Sequence, residues 1–474
     1  MDLKKEIKTS SIMYSILVMI IVILIIMSGI VFFNATIEFM MLVALMAVIP
    51  FVMRLGYSYK QIEKAMFSMM SKALLPSMIV LVVGAMVGAW LISGTVPTLI
   101  YYGIQTISPG YFFVTALLFC TIVSVSTGTS WGTLGTAGVA LMGVSHSLGL
   151  PPGMSAGAII SGAYFGDKIS PLSDTTNLAA AVSGADLIDH VKHMLWTTIP
   201  AYILTFIVFF ILGLNYGKED ASLTNIDELT GFLSENYNLG LITLLPVIIV
   251  LLLLILKKPP VTSIFIGALT GAIIAIFYQG AGMTETISTV YEGYEVNSGI
   301  EVMDTLLSQG GVMSMFHLVA LFLFALGLGG VLHESGILDT FLKTFFSRVN
   351  SVKTLIPATM ATSYIATAIL GSASAAMALT GTMVKPLFEK QRLKPQNLSR
   401  VMEDTATQGA AAIPWNANAI FAAGALGVAP LTFLPFLFLA FFTPIFSLLY
   451  GFTGFTMSKV EQNDENQEKE HQSH

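Results

Sequence analysis

The chain has 474 residues, of which 55% are hydrophobic and only 11% charged, and its formal net charge is −6. Soluble domains carry roughly 25% charged residues, so this composition excludes an ordinary water-soluble fold, and no nucleic-acid partner is expected. The single cysteine, Cys120, excludes a disulfide framework and a cysteine-based metal centre.

Apolar runs such as Ile12–Phe33, Phe39–Met53, Leu239–Leu256 and Leu431–Leu449 are each long enough to cross about 30 Å of hydrocarbon as a helix. The chain therefore reads as an all-α polytopic membrane protein. Its first run is too long for a signal-peptide core and lacks a small-residue cleavage site, so it is taken as a retained span. Lys and Arg favour the cytoplasmic side. They cluster at Lys4–Lys8, Arg54–Lys72, Lys192, Lys257–Lys258, Lys343–Lys353, Lys385–Arg400 and Lys459–Lys469, whereas the connections 216–238 and 284–307 are acidic. With the basic groups and both termini inside, spans are expected near 12–33, 37–54, 74–94, 153–190 and 193–214. A second set follows near 239–256, 260–279, 311–333, 397–425 and 431–455. Two further segments, 110–148 and 354–386, fit the charge pattern only as hairpins entering and leaving on one face. Lys218 is then the one basic residue outside, and Lys168 the one within a span.

Five crossings per half would set similar halves in opposite orientations, and faint similarities recur in the same order. "WLISG" (Trp90–Gly94) resembles "VLHESG" (Val331–Gly336), and "STGTSWGTLGT" (Ser126–Thr136) resembles "SASAAMALTGT" (Ser372–Thr382). "KISPLSDTTNLAAA" (Lys168–Ala181) resembles "AAIPWNANAIFAAG" (Ala411–Gly424), with Pro171 opposite Pro414. The expected organisation is a first inverted repeat over 1–214, an acidic extracellular loop over 215–238, a second repeat over 239–458 and a polar cytoplasmic tail over 459–474. Inverted repeats with broken helices meeting near the midplane are a mark of secondary transporters. The segment 153–190 is far longer than one span, and Pro171 cannot continue a helix. Irregular backbone at membrane depth is tolerated only where protein or a water-filled cavity satisfies it, so "YFGDKISPLSDTTN" (Tyr164–Asn177) reads as a broken-helix site.

Ionisable residues inside a span point to function. Asp174 is the leading candidate for a cation-binding carboxylate, with Asp167 second and Ser173, Thr175, Thr176 and Asn177 supplying neutral oxygens. A proton can compete with a hard cation for the same carboxylate, which would couple the two. Lys168 could hold a substrate carboxylate or displace the cation; a salt bridge with Asp167 is the alternative for it, and a helix cap for Asp174. The first hairpin tip adds Ser126, Thr127, Thr129 and Ser130, and the second adds Ser372 and Ser374. In the facing broken helix Glu403, Asp404, Asn416 and Asn418 are candidates, Glu403 and Asp404 having an interfacial pair with Arg400 as their alternative. His190 and His193 are expected at a membrane interface. No cofactor is implied beyond Na+ as a transported ion.

The run "GAYFGDKISPLSDTTNLAAA", with the earlier "TGTSWGTLGTAG", resembles the NhaC family of sodium/proton antiporters, which also includes malate/lactate exchangers, over nearly the whole chain. The resemblance implies Na+-coupled exchange for H+ in a bacterial plasma membrane, and an ion-transporter-type fold of scaffold helices and paired hairpins. It leaves open a small organic solute such as malate or lactate as the exchanged species, and a homodimer as the assembly. An enzyme is not expected, because there is no HExxH motif and "YFGD" lacks the first glycine of the GxGD pattern.

Overall fold

A computed structural model describes residues 8–216, 223–296, 304, 307–308, 310–346 and 349–460. Lys218, residues 461–474 of the tail and most of 297–309 lie outside them. Seven helices among the described residues are long and apolar enough to cross a bilayer: Ile12–Ile30, Ile37–Arg54, Tyr59–Ile92, Pro109–Thr127, Leu187–Tyr216, Pro260–Phe277 and Met313–Glu334. Two sharply bent pairs, Thr230–Asn236 with Leu241–Ile255 and Ala417–Leu426 with Pro430–Phe436, bring the number to nine if each counts as one span. The chain is a polytopic α-helical membrane protein.

Leu187–Tyr216 shows how such a helix divides its surface. Ile199, Ile203, Ile207 and Ile211 are exposed, while His190, Met194, Thr197, Ala201, Thr205 and Phe209 are buried. The exposed isoleucines form one stripe at helical spacing, costly in water but suited to hydrocarbon, while the helix satisfies its own backbone. The acidic connections, expected as loops, are partly helical over Leu223–Asn236 and Met283–Glu292. In the second, Glu285 accepts from the Gly282 N–H at 3.2 Å and closes the first turn.

Four breaks organise the interior. Phe112–Thr127 ends at Gly128, whose φ of 69° is left-handed, and Thr129 then caps Ser130–Thr133. Val352–Leu370 ends the same way at Gly371 (φ 63°), where Ser372 caps Ala373–Lys390. Pro152–Ile169 stops before Pro171 and resumes as the 10-residue helix Asp174–Ser183. The helix begun by Pro395–Met402 runs through the π-helical turn Glu403–Thr407 to Gln408–Ala410, breaks around Pro414, and resumes as the 10-residue helix Ala417–Leu426. Asp174–Ser183 packs against Ala373–Lys390, and Ala417–Leu426 packs against the π-helical Leu134–Gly138. Each short helix is thus held by the limb that follows the other half's glycine break.

Pro152–Ile169 lies unusually close to Phe112–Thr127. A Cβ on Gly162 would stand 2.3 Å from the Leu117 carbonyl oxygen, and one on Gly166 2.6 Å from the Ser124 Cβ. Small residues four apart let two helices meet backbone to backbone in a membrane. Ser124 Oγ locks the contact by donating to the Ala163 carbonyl at 2.6 Å. That packing places Asp167, the residue after Gly166, against the Gly128–Ser130 turn.

Candidate functional site

Asp167 occupies the last turn of Pro152–Ile169 and is buried. Ser130 Oγ donates to its Oδ2 at 2.7 Å, while Oδ1 has no hydrogen-bond partner among the described residues. Below it the chain unwinds: Thr176 Oγ1 donates to the Lys168 carbonyl at 2.9 Å, and Asn177 Nδ2 donates to the Pro171 carbonyl at 2.9 Å. Ser173 is buried beside Thr175, hydroxyl to hydroxyl at 3.0 Å. Hydroxyls, carbonyls and one carboxylate therefore converge on this break.

Asp174 takes the opposite course. It is the first residue of the resumed helix and is exposed, with its Oδ1 accepting from the Thr175 N–H at 3.0 Å. The buried carboxylate of the stretch is Asp167; the helix phase on either side of Pro171 decides this, because Asp167 still belongs to the face pressed onto Phe112–Thr127.

Lys168 Nζ donates to Asp404 Oδ1, not to Asp167, and both side chains are fully buried. Thr197 Oγ1 also donates to Asp404 Oδ1, at 3.0 Å. The pair joins residues 236 positions apart in sequence and ties the two halves together at the π-helical turn; π turns often mark functional sites. Among the described residues Asp404 Oδ2 and both carboxylate oxygens of Glu403 have no hydrogen-bond partner within bonding geometry; Thr407 is the polar side chain beside Glu403, which also lies in the electrostatic field of Lys168, Asp167 and Asp404. Arg400 makes no ion pair with either acid. It donates from Nη1 to Thr456 Oγ1 at 2.9 Å and lies over the Tyr450 ring at 5.9 Å.

The remaining candidates separate clearly. Thr129 caps its helix by accepting from the Gly132 N–H, and Thr127 is buried with a long 3.5 Å bond to the Ser124 carbonyl. Ser126 is exposed and bonded to its own helix. Ser372 caps Ala373–Lys390, and Ser374 is half-buried on the first turn of that helix. Asn416 caps Ala417–Leu426 and donates to the Thr367 carbonyl at 3.0 Å. Asn418 accepts from Trp131 Nε1 at 2.8 Å, and the Trp131 ring stacks on Phe421.

His190 and His193, expected at an interface, are buried, because both fall on the inward stripe of Leu187–Tyr216. Their spacing of three on an apolar-faced helix was the one signal for this. Among the described residues no three His, Cys, Asp or Glu side chains come together as a metal-holding group. A cation here would meet one carboxylate with hydroxyl and carbonyl oxygens, a set suited to a hard monovalent ion.

An isolated ionised carboxylate is costly to bury, so it keeps a proton or gains a cation. Beyond the Lys168–Asp404 pair, Asp167 and Glu403 each carry that requirement. Broken helices crossing a membrane protein around such groups define a secondary transporter. The model of the Na+/H+ antiporter family matches residues 162–455, and the chain belongs to that family. It is 36% identical to the malate-2H(+)/Na(+)-lactate antiporter of Bacillus subtilis, over 95% of this chain and 96% of that one. Identity to the Na(+)/H(+) antiporter NhaC of Alkalihalophilus pseudofirmus is 36%, over 86% and 88%. Identity to the arginine/ornithine antiporter ArcD of Halobacterium salinarum is 31%, over 85% and 83%.

Proposed function

We propose that this protein exchanges Na+ for H+ across a bacterial plasma membrane, with Asp167 as the carboxylate that the two ions share. The supporting observation is the free Oδ1 of Asp167, buried at a break lined by Ser130, Ser173 and Thr176. Sodium binding there would replace a proton, because one buried carboxylate cannot stay charged and alone. Asp174, exposed at the start of the resumed helix, would draw cations toward the break. The recurring breaks support two halves inverted about the membrane plane with the segments 110–148 and 354–386 entering as hairpins, and the distribution of Lys and Arg supports cytoplasmic termini. No resident cofactor is required. The test is purified protein in proteoliposomes with a pH-sensitive dye inside. An imposed Na+ gradient should drive protons the opposite way; no Na+-dependent pH change would refute the reading.

A second reading has its own support. A cavity of about 780 Å³ adjoins Ala417–Leu426, lined by Leu91, Met142, Leu318, Ile420 and Ala423, with Glu38, His146 and His317 as its ionisable groups. A water occupies about 30 Å³ of liquid, so this space exceeds the need of a partly hydrated ion and suits a small organic solute. Among its described lining residues there is no Lys or Arg. An organic acid would therefore enter with its charge met by accompanying H+ or Na+. Counterflow of labelled malate or lactate supports this reading, and exchange restricted to inorganic cations excludes it.

A further inference from the structure

Leu187–Tyr216 presents His190, His193 and Thr197 in succession on its buried face. Spacings of three and four residues align them in one stripe, rising about 10 Å along the axis. The inner end of the stripe is Thr197, bonded to Asp404. Its outer end is the polar start of the helix, where Asp186, Asp189 and Lys192 are exposed and Asp186 Oδ1 accepts from the Ile188 and Asp189 N–H groups. His190 is 0% exposed and His193 7%. Neither ring nitrogen of His190 has a hydrogen-bond partner among the described residues, nor does Nε2 of His193. Buried polar groups are normally paired, and an aliphatic side chain would fill the same space without that cost.

We infer that His190, continued by His193, conducts protons between the polar end of this helix and the buried carboxylates, an inference that rests on the Na+/H+ reading. A neutral imidazole has one donor and one acceptor nitrogen. In each passage one ring nitrogen of His190 takes a proton from water on the polar side, and the other releases its own toward the centre. One proton enters and one leaves, and no electrons move. The charged and titratable groups around the stripe are Lys168 from Pro152–Ile169, Arg400 from Pro395–Met402 and Asp404 from the π turn. Lys385 stands beside Gly184 at the foot of the helix, and Tyr450 donates to the Trp196 carbonyl on its flank. Three of these five groups are cations. Their field opposes any added positive charge along the stripe. What admits H+ and not Na+ is that a proton can pass by exchange at the ring nitrogens, whereas Na+ needs oxygen ligands that the imidazoles do not supply. The two ions would therefore reach the centre by different entrances, Na+ past Asp174 and H+ past His190.

The test reads two exchange modes in the same proteoliposomes. Radioactive Na+/Na+ exchange at equal pH needs no proton; Na+-driven proton flux does. For His190→Gln, Na+/Na+ exchange should stay within about twofold of the parent while proton flux falls at least about tenfold, most at alkaline pH where protons are scarce. Full retention of proton flux overturns the relay, and so does an equal loss of both modes, which would mark a structural role. If His190→Gln does not reach the membrane, His193→Gln is measured for the same split, with the same outcomes deciding. A parent protein without Na+/Na+ exchange contradicts the Na+ reading itself, which separates the two failures.

Discussion

The two broken helices share a plan and differ in chemistry. Both stop at a proline-containing break and resume as 10-residue helices. In the second break the polar groups are satisfied: Asn416 caps the helix and reaches Thr367, and Asn418 holds Trp131. In the first, Asp167 keeps a free buried oxygen and Lys168 leaves its own half to meet Asp404. The same backbone device thus has its polar groups paired in one half and leaves a buried carboxylate oxygen without a hydrogen-bond partner among the described residues in the other. What separates them is where the charge falls relative to the break, one turn before Pro171 in the first half and on a π turn well before Pro414 in the second.

The largest effect should come from the link between the halves. Lys168→Met leaves Asp404 buried and uncompensated, and should cost about 3–5 kcal/mol of stability in thermal unfolding of the detergent-solubilised protein. Lys168→Met with Asp404→Leu should recover most of that stability, since apolar replacement of a buried pair is often neutral, and yet remain inactive in exchange. Recovery of exchange by the double variant would reduce the pair to a structural tie.

Ser130→Ala removes a hydrogen bond to the Asp167 carboxyl group and should weaken apparent Na+ affinity about tenfold, beside a stability cost of about 1–3 kcal/mol from the unsatisfied buried acceptor. Asn416→Ala should lose only stability: about 1 kcal/mol with the cap, and Na+ affinity unchanged. If Asn416→Ala weakened Na+ affinity and Ser130→Ala did not, the assignment of the site to the first break would be inverted.

Much of this was legible in the chain. Composition and run length announced a polytopic helical protein, and the hairpin tip around Ser126–Ser130, Pro171 and Pro414 marked breaks that the structure places at the same points. Which of the two aspartates is buried was not legible, because the helix phase across a break depends on how many residues unwind, and Pro171 does not say. Nor was the Lys168–Asp404 pair, since nothing local connects residues 236 positions apart. The π turn at Glu403–Thr407 has no periodic signature, and its effect is to aim two adjacent acids inward. The smallest expected effect follows from the aspartates: Asp174→Asn removes an exposed charge worth under about 1 kcal/mol, and should leave exchange at saturating Na+ close to the parent rate. Loss of exchange in a well-expressed Asp174→Asn protein would restore Asp174 as the leading carboxylate.

Competition between Na+ and H+ for Asp167 is what would couple the two ions. Its direct measurement is the apparent Na+ affinity of the parent protein and of Asp167→Asn in proteoliposomes, followed from mildly acidic to alkaline pH. A lower pH protonates the shared carboxylate, so Na+ affinity in the parent should weaken as pH falls, by up to about tenfold per pH unit for one competing proton, while Asp167→Asn should show no Na+-dependent proton flux at any pH. A parent affinity independent of pH, or an Asp167→Asn protein that exchanges with the parent's pH profile, would contradict the account.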